Sequence, residues 1–228
     1  MASTRSTGPA QFMAENPTCA LVLLAAGKSQ RMAQPKQLLP IFGTPLLRRI
    51  VDSLAGAPVS PLVVVLGANV GRVQRCLEGT TVNMVLNEEW TEGVGSSIRA
   101  GIEALEASSP ELNGVIIALA DQPNFSARHV ARLLEERDRT GRSIIATEAG
   151  GRLMAPAYLG SEYFLDLLSL RGDAGARLLL ESNRANVATV QFEDLADLDT
   201  KEDYINFLKT FAPAEAHYQE ASEGTPRD

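Results

Sequence analysis

The chain has 228 residues, of which 45% are hydrophobic, and a formal net charge of −7. This length and apolar content suit one α/β domain with a sizeable core, or at most two small ones. The acidic charge argues against general nucleic-acid binding, which requires a basic face. No apolar run is long enough to span a membrane, and residues 1–17 lack the apolar segment of a secretory signal. We therefore expect a cytoplasmic protein with a flexible arm at 1–17, one folded domain at 18–212 and a flexible tail at 213–228.

Short apolar runs rich in β-branched residues predict the strands. In chain order they occupy residues 19–24, 62–67, 82–86, 114–120, 143–148 and 187–192. Continuous apolar runs are typical of strands that are covered on both faces, as in a parallel sheet. Helical periods fill most gaps, so the pattern predicts an α/β protein with a three-layer, Rossmann-like fold and a mostly parallel central sheet. Residues 150–182 break the alternation and are expected to form a lobe over the site.

Capping residues predict where four of the helices begin. Small hydroxyl side chains before an apolar stripe can accept hydrogen bonds from the first free N–H groups of a helix. A hydroxyl residue followed three positions later by a carboxylate approximates a capping box. The predicted caps are Thr44 before Pro45, Ser96 or Ser97, Ser126, and Thr200 with Asp203.

The loop after the first strand is the first candidate site. Residues 25–31 read AAGKSQR, and Lys36 follows shortly afterwards. Small residues let backbone N–H groups approach phosphate oxygens, while Arg31 and Lys36 can neutralise phosphate charge. The spacing of glycines matches neither the dinucleotide fingerprint nor the Walker motif. The alternative is an ordinary strand-to-helix turn with solvated surface cations.

Two further candidate sites follow later strands. Asp121 comes directly after the strand at 114–120, where a carboxylate can hold Mg²⁺ on a phosphate. The alternative is an Asp that merely forms a turn before a proline. Gly95, Ser96 and Ser97 open a helix and suit contacts to a base or ribose, although they could serve only as a cap. Because ligands of open α/β sheets bind beyond the carboxyl ends of the strands, we expect all three groups to meet there.

Several segments resemble one family of enzymes. LAAGKSQRM, with Lys36 and LLP after it, resembles the signature of nucleotidyltransferases that activate sugars, alditols and pterins with an NTP. NEEWTEGVGSSIRAG, LADQP, LRGDAGAR and DLDTKEDY are similar to segments of molybdenum cofactor cytidylyltransferases, which are MobA-like NTP transferases. The resemblance runs from about residue 19 to 208. It implies transfer of CMP from CTP to the phosphate of the molybdopterin cofactor, with Mg²⁺ and release of pyrophosphate.

The resemblance also implies roles for individual residues. Arg31 and Lys36 would be catalytic, because they would stabilise charge on the NTP phosphates. Asp121 would bind Mg²⁺, and Asp173 is a second candidate ligand, although a carboxylate that merely favours a helix N-terminus is an equal interpretation. The implied nucleotide-binding residues are Leu24, Ala25, Ala26, Gly27, Ser29, Gly95, Ser96 and Ser97. Relatives that read LAAG tend to use CTP and those that read LAGG tend to use GTP, so Ala26 predicts CTP.

Two departures from the family pattern affect the acceptor side. Ala33 stands where the family usually has Gly, and residues 152–158 lack a His that many members carry before the GDAGAR segment. No general base is expected, because a phosphate nucleophile is already anionic and His129 is expected on the surface. A sugar- or alditol-phosphate nucleotidyltransferase and a non-catalytic protein that delivers the cofactor remain alternatives.

The expected partners follow from the same resemblance. They are CTP and the molybdopterin cofactor, with a client molybdoenzyme as a further candidate, and neither nucleic acid nor a membrane. The chain is expected to be a monomer or a weak dimer. Cys19 and Cys76 have no metal-ligand spacing and are expected to be reduced core residues.

Overall fold

A computed structural model describes residues 19–29, 32, 34–109, 111–173 and 175–212. The predicted arm and tail lie outside these ranges, as do Arg31 and Ala33, so the predictions for them stay predictions. Within the described ranges, no helix is long and apolar enough to cross a bilayer.

Seven of the nine strands in the described part of the chain form one sheet, in the order β5-β4-β1-β6-β8-β7-β9. Six of them run parallel to one another, and β8 runs antiparallel between β6 and β7. The other two, β2 and β3, make a small hairpin. The strands are β1 Cys19–Leu24, β2 Pro40–Ile41, β3 Thr44–Pro45, β4 Leu62–Leu66, β5 Asn83–Leu86, β6 Gly114–Leu119, β7 Ile144–Ala149, β8 Arg152–Gly160 and β9 Val187–Val190.

Helices cover both faces of the sheet, which confirms the predicted three-layer fold with a mostly parallel sheet. One face carries α1, α4 and α7, and the other carries α3, α5 and α6. The helices are α1 Leu46–Ser53, α2 Val70–Val73, α3 Val94–Ser108, α4 Ala127–Thr140, α5 Phe164–Ser169, α6 Ala176–Ser182 and α7 Lys201–Phe211. Short 3₁₀ turns occupy Lys36–Leu38, Gln74–Leu77, Trp90–Glu92, Ser161–Tyr163 and Arg184–Asn186.

Strand β1 lies at the centre of the molecule and shows why the apolar runs are continuous. All six of its residues are buried. Leu21 and Leu23 point into the core under α1 and α4, while Val22 points into the core under α3. A strand buried on both faces needs apolar side chains at every position. Cys19 opens this strand as expected, and both Cys19 and Cys76 are free thiols.

The prediction of a lobe at 150–182 is wrong for its first part. Residues 152–160 form β8, a central strand of the sheet. Pro156 hides this strand in the sequence, because proline cannot donate to a ladder and is usually confined to edges and bulges. Here the pairing of β7 with β8 shifts register between Ala146 and Thr147, next to that proline. The Thr147 hydroxyl donates to the Pro156 carbonyl oxygen at 2.8 Å.

Two predicted helix starts are also wrong. Thr44 and Pro45 belong to β3, and α1 begins at Leu46 without a side-chain cap. Helix α3 begins at Val94 after Gly93, so Ser96 and Ser97 lie within its first turn and do not cap it. In contrast, the capping box of Thr200 and Asp203 at α7 is confirmed by both of its hydrogen bonds.

The predicted surface position of His129 is wrong, because its side chain is fully buried. Ser126 does precede α4 as predicted, but its hydroxyl contacts His129 Nδ1 at 2.9 Å and caps no backbone group. The ring packs edge-on against Phe192 with 4.7 Å between centroids. Its Nε2 lies 3.2 Å from a carboxylate oxygen of Asp194. The polar partners at both nitrogens explain how an imidazole can be buried here.

Candidate active site

A cavity of about 520 Å³ opens at the carboxyl ends of β1 and β6. Its walls come from the loop after β1, the start of the 3₁₀ turn at 36–38, the turn before α3, the end of β6 and the turn before α6. Of the predicted site residues, it is lined by Leu24, Ala26, Gly27, Ser29, Lys36, Ser97, Asp121 and Asp173. It is also lined by Lys28, Gln37, Trp90, Thr91, Gly93, Val94, Leu119 and Ala120.

The loop at 25–29 is held by its carbonyl groups. The buried Gln37 donates from Nε2 to the carbonyl oxygens of Ala25 at 2.7 Å and of Gly27 at 3.0 Å. The Ala26 carbonyl accepts from the N–H of Ala68 at 2.9 Å. Three consecutive carbonyls are therefore bound to the protein. Such fixing preorganises a short backbone loop for an anionic ligand.

Close packing behind this loop depends on Gly67. A Cβ at that position would lie 2.7 Å from Cβ of Trp90 and 2.8 Å from Cβ of Ala26. Only glycine lets the two walls of the cavity approach so closely. Ala26 is 4% exposed, so its methyl group forms part of the tightly packed floor.

Lys36 is bound between two carboxylates. Its Nζ lies 2.7 Å from Oδ1 of Asp199 and 3.7 Å from Oδ2 of Asp121. Its side chain is only 14% exposed, so the alternative of a solvated surface cation does not hold for Lys36. The backbone N–H of Lys36 donates to the Ser29 hydroxyl at 2.8 Å, which fixes the end of the loop. One buried cation therefore joins the ends of β6 and of the segment after β9.

Asp121 carries the clearest electrostatic signal of the site. The pKa of its carboxyl is raised to about 6, mainly by burial and also by the nearby carboxylates of Asp197 and Asp199, while Lys36 acts to lower it. Its Oδ1 is buried and has no hydrogen-bond partner among the described residues. A carboxylate oxygen kept dry and unpaired costs free energy unless a ligand or cation satisfies it.

The two serines in the first turn of α3 have different surroundings. Ser97 lines the cavity, whereas Ser96 is buried behind the wall. Asn87 Nδ2 donates to both hydroxyls, at 2.8 Å to Ser96 and 3.0 Å to Ser97. The Ser96 hydroxyl is also within hydrogen-bond distance of the carbonyls of Glu89 and Gly93. Ser96 therefore holds the turn before α3.

The turn that carries Asp173 packs against the turn before α3. The N–H of Gly95 donates to the Gly172 carbonyl at 3.0 Å, and the Gly172 N–H reaches Oε1 of Glu92 at 3.3 Å. Arg99 binds the Glu92 carboxylate and holds the pKa of that carboxyl down at about 2. Asp173 is exposed and precedes α6 by three residues. It thus reaches the cavity from the side of α6.

Sequence reasoning predicted eight of the sixteen residues that line the cavity. Ala25, Gly95 and Ser96 lie behind the wall, and Arg31 lies outside the described residues. Among the site residues that it missed, Gln37 and Trp90 line the cavity, and Asp199 contacts Lys36 from the DLDT segment, 163 positions further along the chain. The DLDT segment resembles a segment of the family, and its two carboxylates after the last strand were the signal that could have identified Asp199.

Comparison with known proteins relates the chain to two curated proteins over most of their lengths. It is 34% identical over 192 residues to nicotine blue oxidoreductase of Paenarthrobacter nicotinovorans, covering 80% of this chain and 89% of that protein. It is 28% identical over 195 residues to the purine catabolism protein PucB of Bacillus subtilis, covering 80% and 92%.

Solved structures from mycobacteria share the fold. A homologue of Rv0371c from Mycobacterium sp. strain JC1 has a TM-score of 0.73 at 30% identity, over 86% of this chain and 98% of that one. Rv0371c of Mycobacterium tuberculosis, solved in complex with manganese, has a TM-score of 0.69 at 27% identity, over 84% and 98%. A metal therefore binds to a protein of the same fold.

Residues 21–187 match the model of the MobA-like NTP transferase domain. The match spans the cavity from the loop after β1 to β9, and it confirms the resemblance seen in the sequence. The chain belongs to the MobA-like NTP transferase domain family and is a nucleotidyltransferase of that family.

Proposed function

We propose that this protein transfers CMP from CTP to the terminal phosphate of the molybdopterin cofactor. That phosphate oxygen would attack the α-phosphorus of CTP, a new P–O bond would form, and the bond to pyrophosphate would break. One observation carries the proposal most directly. The Oδ1 of Asp121, which has no hydrogen-bond partner among the described residues, lies in the cavity wall beside Lys36, next to a loop in which the carbonyls of residues 25–27 are held by the protein.

The carboxylates of the site fit a divalent cation. No group of three or more His, Cys, Asp or Glu side chains within the described ranges could hold a metal ion alone. Mg²⁺ usually needs only one or two carboxylates when substrate phosphates and water supply the other ligands. Asp121 would bind the ion. Asp199 would assist, because the carboxylates of both residues contact Nζ of Lys36. Bound there, Mg²⁺ would neutralise charge on the NTP phosphates. Asp173 lines the same cavity from the side of α6 and is a further candidate.

The chain's own residues would act by position and charge. Lys36 would stabilise negative charge on the phosphates while its contacts to Asp121 and Asp199 keep it in place. Arg31 would extend this cation set from the same loop. The loop at 25–29 would hold the nucleotide through its N–H groups, and Ser97 would contact the ribose or base. A phosphate nucleophile needs no proton removed, which agrees with a His129 that is buried away from the cavity.

The choice of CTP over GTP would depend on the packed floor beneath the base. Ala26 lines the cavity, and its methyl group packs so close to Gly67 that a Cβ at residue 67 would lie 2.8 Å from it. A pyrimidine would fit above that methyl group, whereas a purine would press on it. One methyl group is worth about 10- to 200-fold in discrimination, so the preference would be strong without being absolute.

Competing functions differ in the acceptor and in the chemistry. A sugar- or alditol-phosphate nucleotidyltransferase would use the same cavity with another acceptor. A delivery protein for a molybdoenzyme would bind the cofactor without releasing pyrophosphate. The relative at 34% identity is named an oxidoreductase, so a redox reaction is a third candidate.

One screen separates these functions. Purified protein would be incubated with each of four NTPs, Mg²⁺, and either molybdopterin or a set of sugar and alditol phosphates, with pyrophosphate as the readout. Parallel reactions would follow oxidation of NADH and NADPH. We expect pyrophosphate release only with molybdopterin, and fastest with CTP. Release with a sugar phosphate, or nicotinamide oxidation alone, would overturn the assignment.

A further inference from the structure

Residues 192–199 lie in the segment between β9 and α7. They form a strap across the connection from β6 to α4. Its polar contacts run along its length, and Phe192, Leu195 and Leu198 pack into the core beneath it. Asp194 and Asp197 both bind side chains of that connection, and the N–H of Leu198 donates to the Asp121 carbonyl oxygen at 2.9 Å. The strap therefore runs directly over the end of β6, where the cavity begins.

The two ends of the strap have different surroundings. At its far end, Asp194 contacts Arg128 and His129 of α4 through its carboxylate. Its carbonyl oxygen also accepts from Asn124 Nδ2 at 3.1 Å. At the near end, Asp199 contacts Lys36 at 2.7 Å.

In the middle of the strap, Asp197 accepts from Gln122 Nε2 at 3.0 Å. Gln122 is completely buried, and it directly follows Asp121. Its own Oε1 has no partner in the described part of the chain. The middle and near end of the strap thus carry two carboxylates that act on Asp121.

We propose that the Asp194–His129 contact is the anchor of the strap, and that it positions Asp197 and Asp199 against Asp121 and Lys36. Asp194 and His129 are thus positioning residues for nucleotidyl transfer, although neither lines the cavity. The kinetic part of this inference rests on the proposed function. The structural part concerns the strap alone.

The hydrogen bonds around His129 support a fixed anchor. Burial holds the pKa of its imidazole below the usual range, so the ring is neutral near pH 7. With the proton on Nε2, the ring donates to Asp194, and Nδ1 accepts from the Ser126 hydroxyl. Ser126, His129 and Asp194 do not form a hydrolytic triad, because the imidazole is inaccessible to any substrate. The cluster thus connects α4 to the strap.

Three variants separate anchoring from mere stability. Asp194→Ala removes the acceptor, whereas Asp194→Asn keeps an oxygen that can accept from His129. His129→Phe keeps the aromatic packing with Phe192 and removes the hydrogen bond. Glu136→Ala is the matched control, because it breaks an ion pair with Arg139 on the same helix about 10 Å further along.

Two measurements are made on the full chain. Hydrogen exchange of residues 192–199 reports on the strap, and steady-state kinetics report kcat, KM for CTP and the half-saturating Mg²⁺ concentration. For Asp194→Ala and His129→Phe, we expect about 10-fold faster exchange in the strap. We also expect kcat to fall about 10- to 100-fold and more Mg²⁺ to be needed, with KM for CTP little changed. For Asp194→Asn and Glu136→Ala, the exchange rate of the strap and the kinetic constants should stay within about 3-fold of the wild-type values.

The outcomes distinguish the two levels of inference. Unchanged exchange in the strap of Asp194→Ala would overturn the anchor. Faster exchange with unchanged kcat would overturn the positioning role. If wild-type protein releases no pyrophosphate with any substrate pair, the proposed function fails, while hydrogen exchange still decides whether the anchor exists. Circular dichroism of each variant establishes that it is folded, and Asp194→Asn serves as the rescue.

Discussion

At the scale of single residues, Lys36 is the group whose removal should matter most. We expect Lys36→Ala to lower kcat by about 100-fold or more, the usual effect of losing a charge-stabilising donor. Loss of the cation leaves Asp121 and Asp199 facing each other, so the pKa of Asp121 should rise further. Lys209→Ala on the exposed side of α7 is the control, with circular dichroism for both. A folded Lys36 variant with wild-type turnover would refute the role.

The Asp121 carboxylate should support activity and lower the stability of the metal-free protein at neutral pH. Its pKa of about 6 in the folded protein lies above the ordinary value of 3.8, so the folded state holds the proton more tightly. The contribution of Asp121 to the free energy of unfolding of the metal-free wild type should therefore fall as pH rises from about 4 to 6. Asn stays neutral throughout, so Asp121→Asn should lose Mg²⁺-dependent activity and yet be about 1–3 kcal/mol more stable at pH 8.

Urea unfolding in EDTA at pH 4 and pH 8 measures the free energy of unfolding of wild type and of Asp121→Asn. The two proteins should be equally stable near pH 4 and differ at pH 8. An Asn variant that is less stable at pH 8, or that keeps its Mg²⁺-dependent turnover, would contradict the account.

Ala26 should influence the choice of base. Ala26→Gly removes the methyl group from the floor of the cavity, so kcat/KM for GTP should rise relative to kcat/KM for CTP. We expect a CTP preference of about 10- to 200-fold in wild type and a smaller one in the variant. The measurement is kcat/KM for both nucleotides with both proteins. An equal use of CTP and GTP by the wild type would remove the basis for this prediction.

At the scale of elements, the approach of two turns forms the cavity wall before α3. Gly93 has φ of +124°, and a Cβ there would lie 2.4 Å from the Gly172 backbone. Gly93→Ala should therefore destabilise the protein by about 2–4 kcal/mol, from backbone strain and collision together. Gly79→Ala is the matched control, because φ is +78° there and no atom lies within 4 Å.

The control gives the cost of a side chain at positive φ without a collision, which should be about 1 kcal/mol. Urea unfolding of the two variants gives the difference. Equal losses of stability would mean that the contact between the two turns contributes nothing.

Elements that are buried on both faces could be predicted from the sequence, and those that break a local rule could not. β1 was predicted exactly at 19–24, because each of its residues packs against a helix layer. β8 was missed, because Pro156 looks incompatible with a central strand until the register shift beside it is known. The start of α3 was misplaced because Ser96 resembles a cap, while its hydroxyl is bound by Asn87.

At the scale of the whole molecule, the site combines residues that are far apart in the chain. The prediction that strand ends would meet placed the loop after β1 beside Asp121, as the topology of an open sheet requires. Asp199 joins them from 163 positions beyond Lys36. The carboxylate doublet of the DLDT segment marks Asp199 as a candidate, but its contact with Lys36 depends on the path of the strap after β9.

The central claim is the transfer of a cytidylyl group to the molybdopterin cofactor. CTP labelled at the α-phosphorus would be incubated with the protein, Mg²⁺ and molybdopterin, and the label would be followed by chromatography. We predict that the label moves to the cofactor with one pyrophosphate released per transfer, and that labelled GTP reacts more slowly. Label that stays on CTP, or that moves only to a sugar phosphate, would contradict the account.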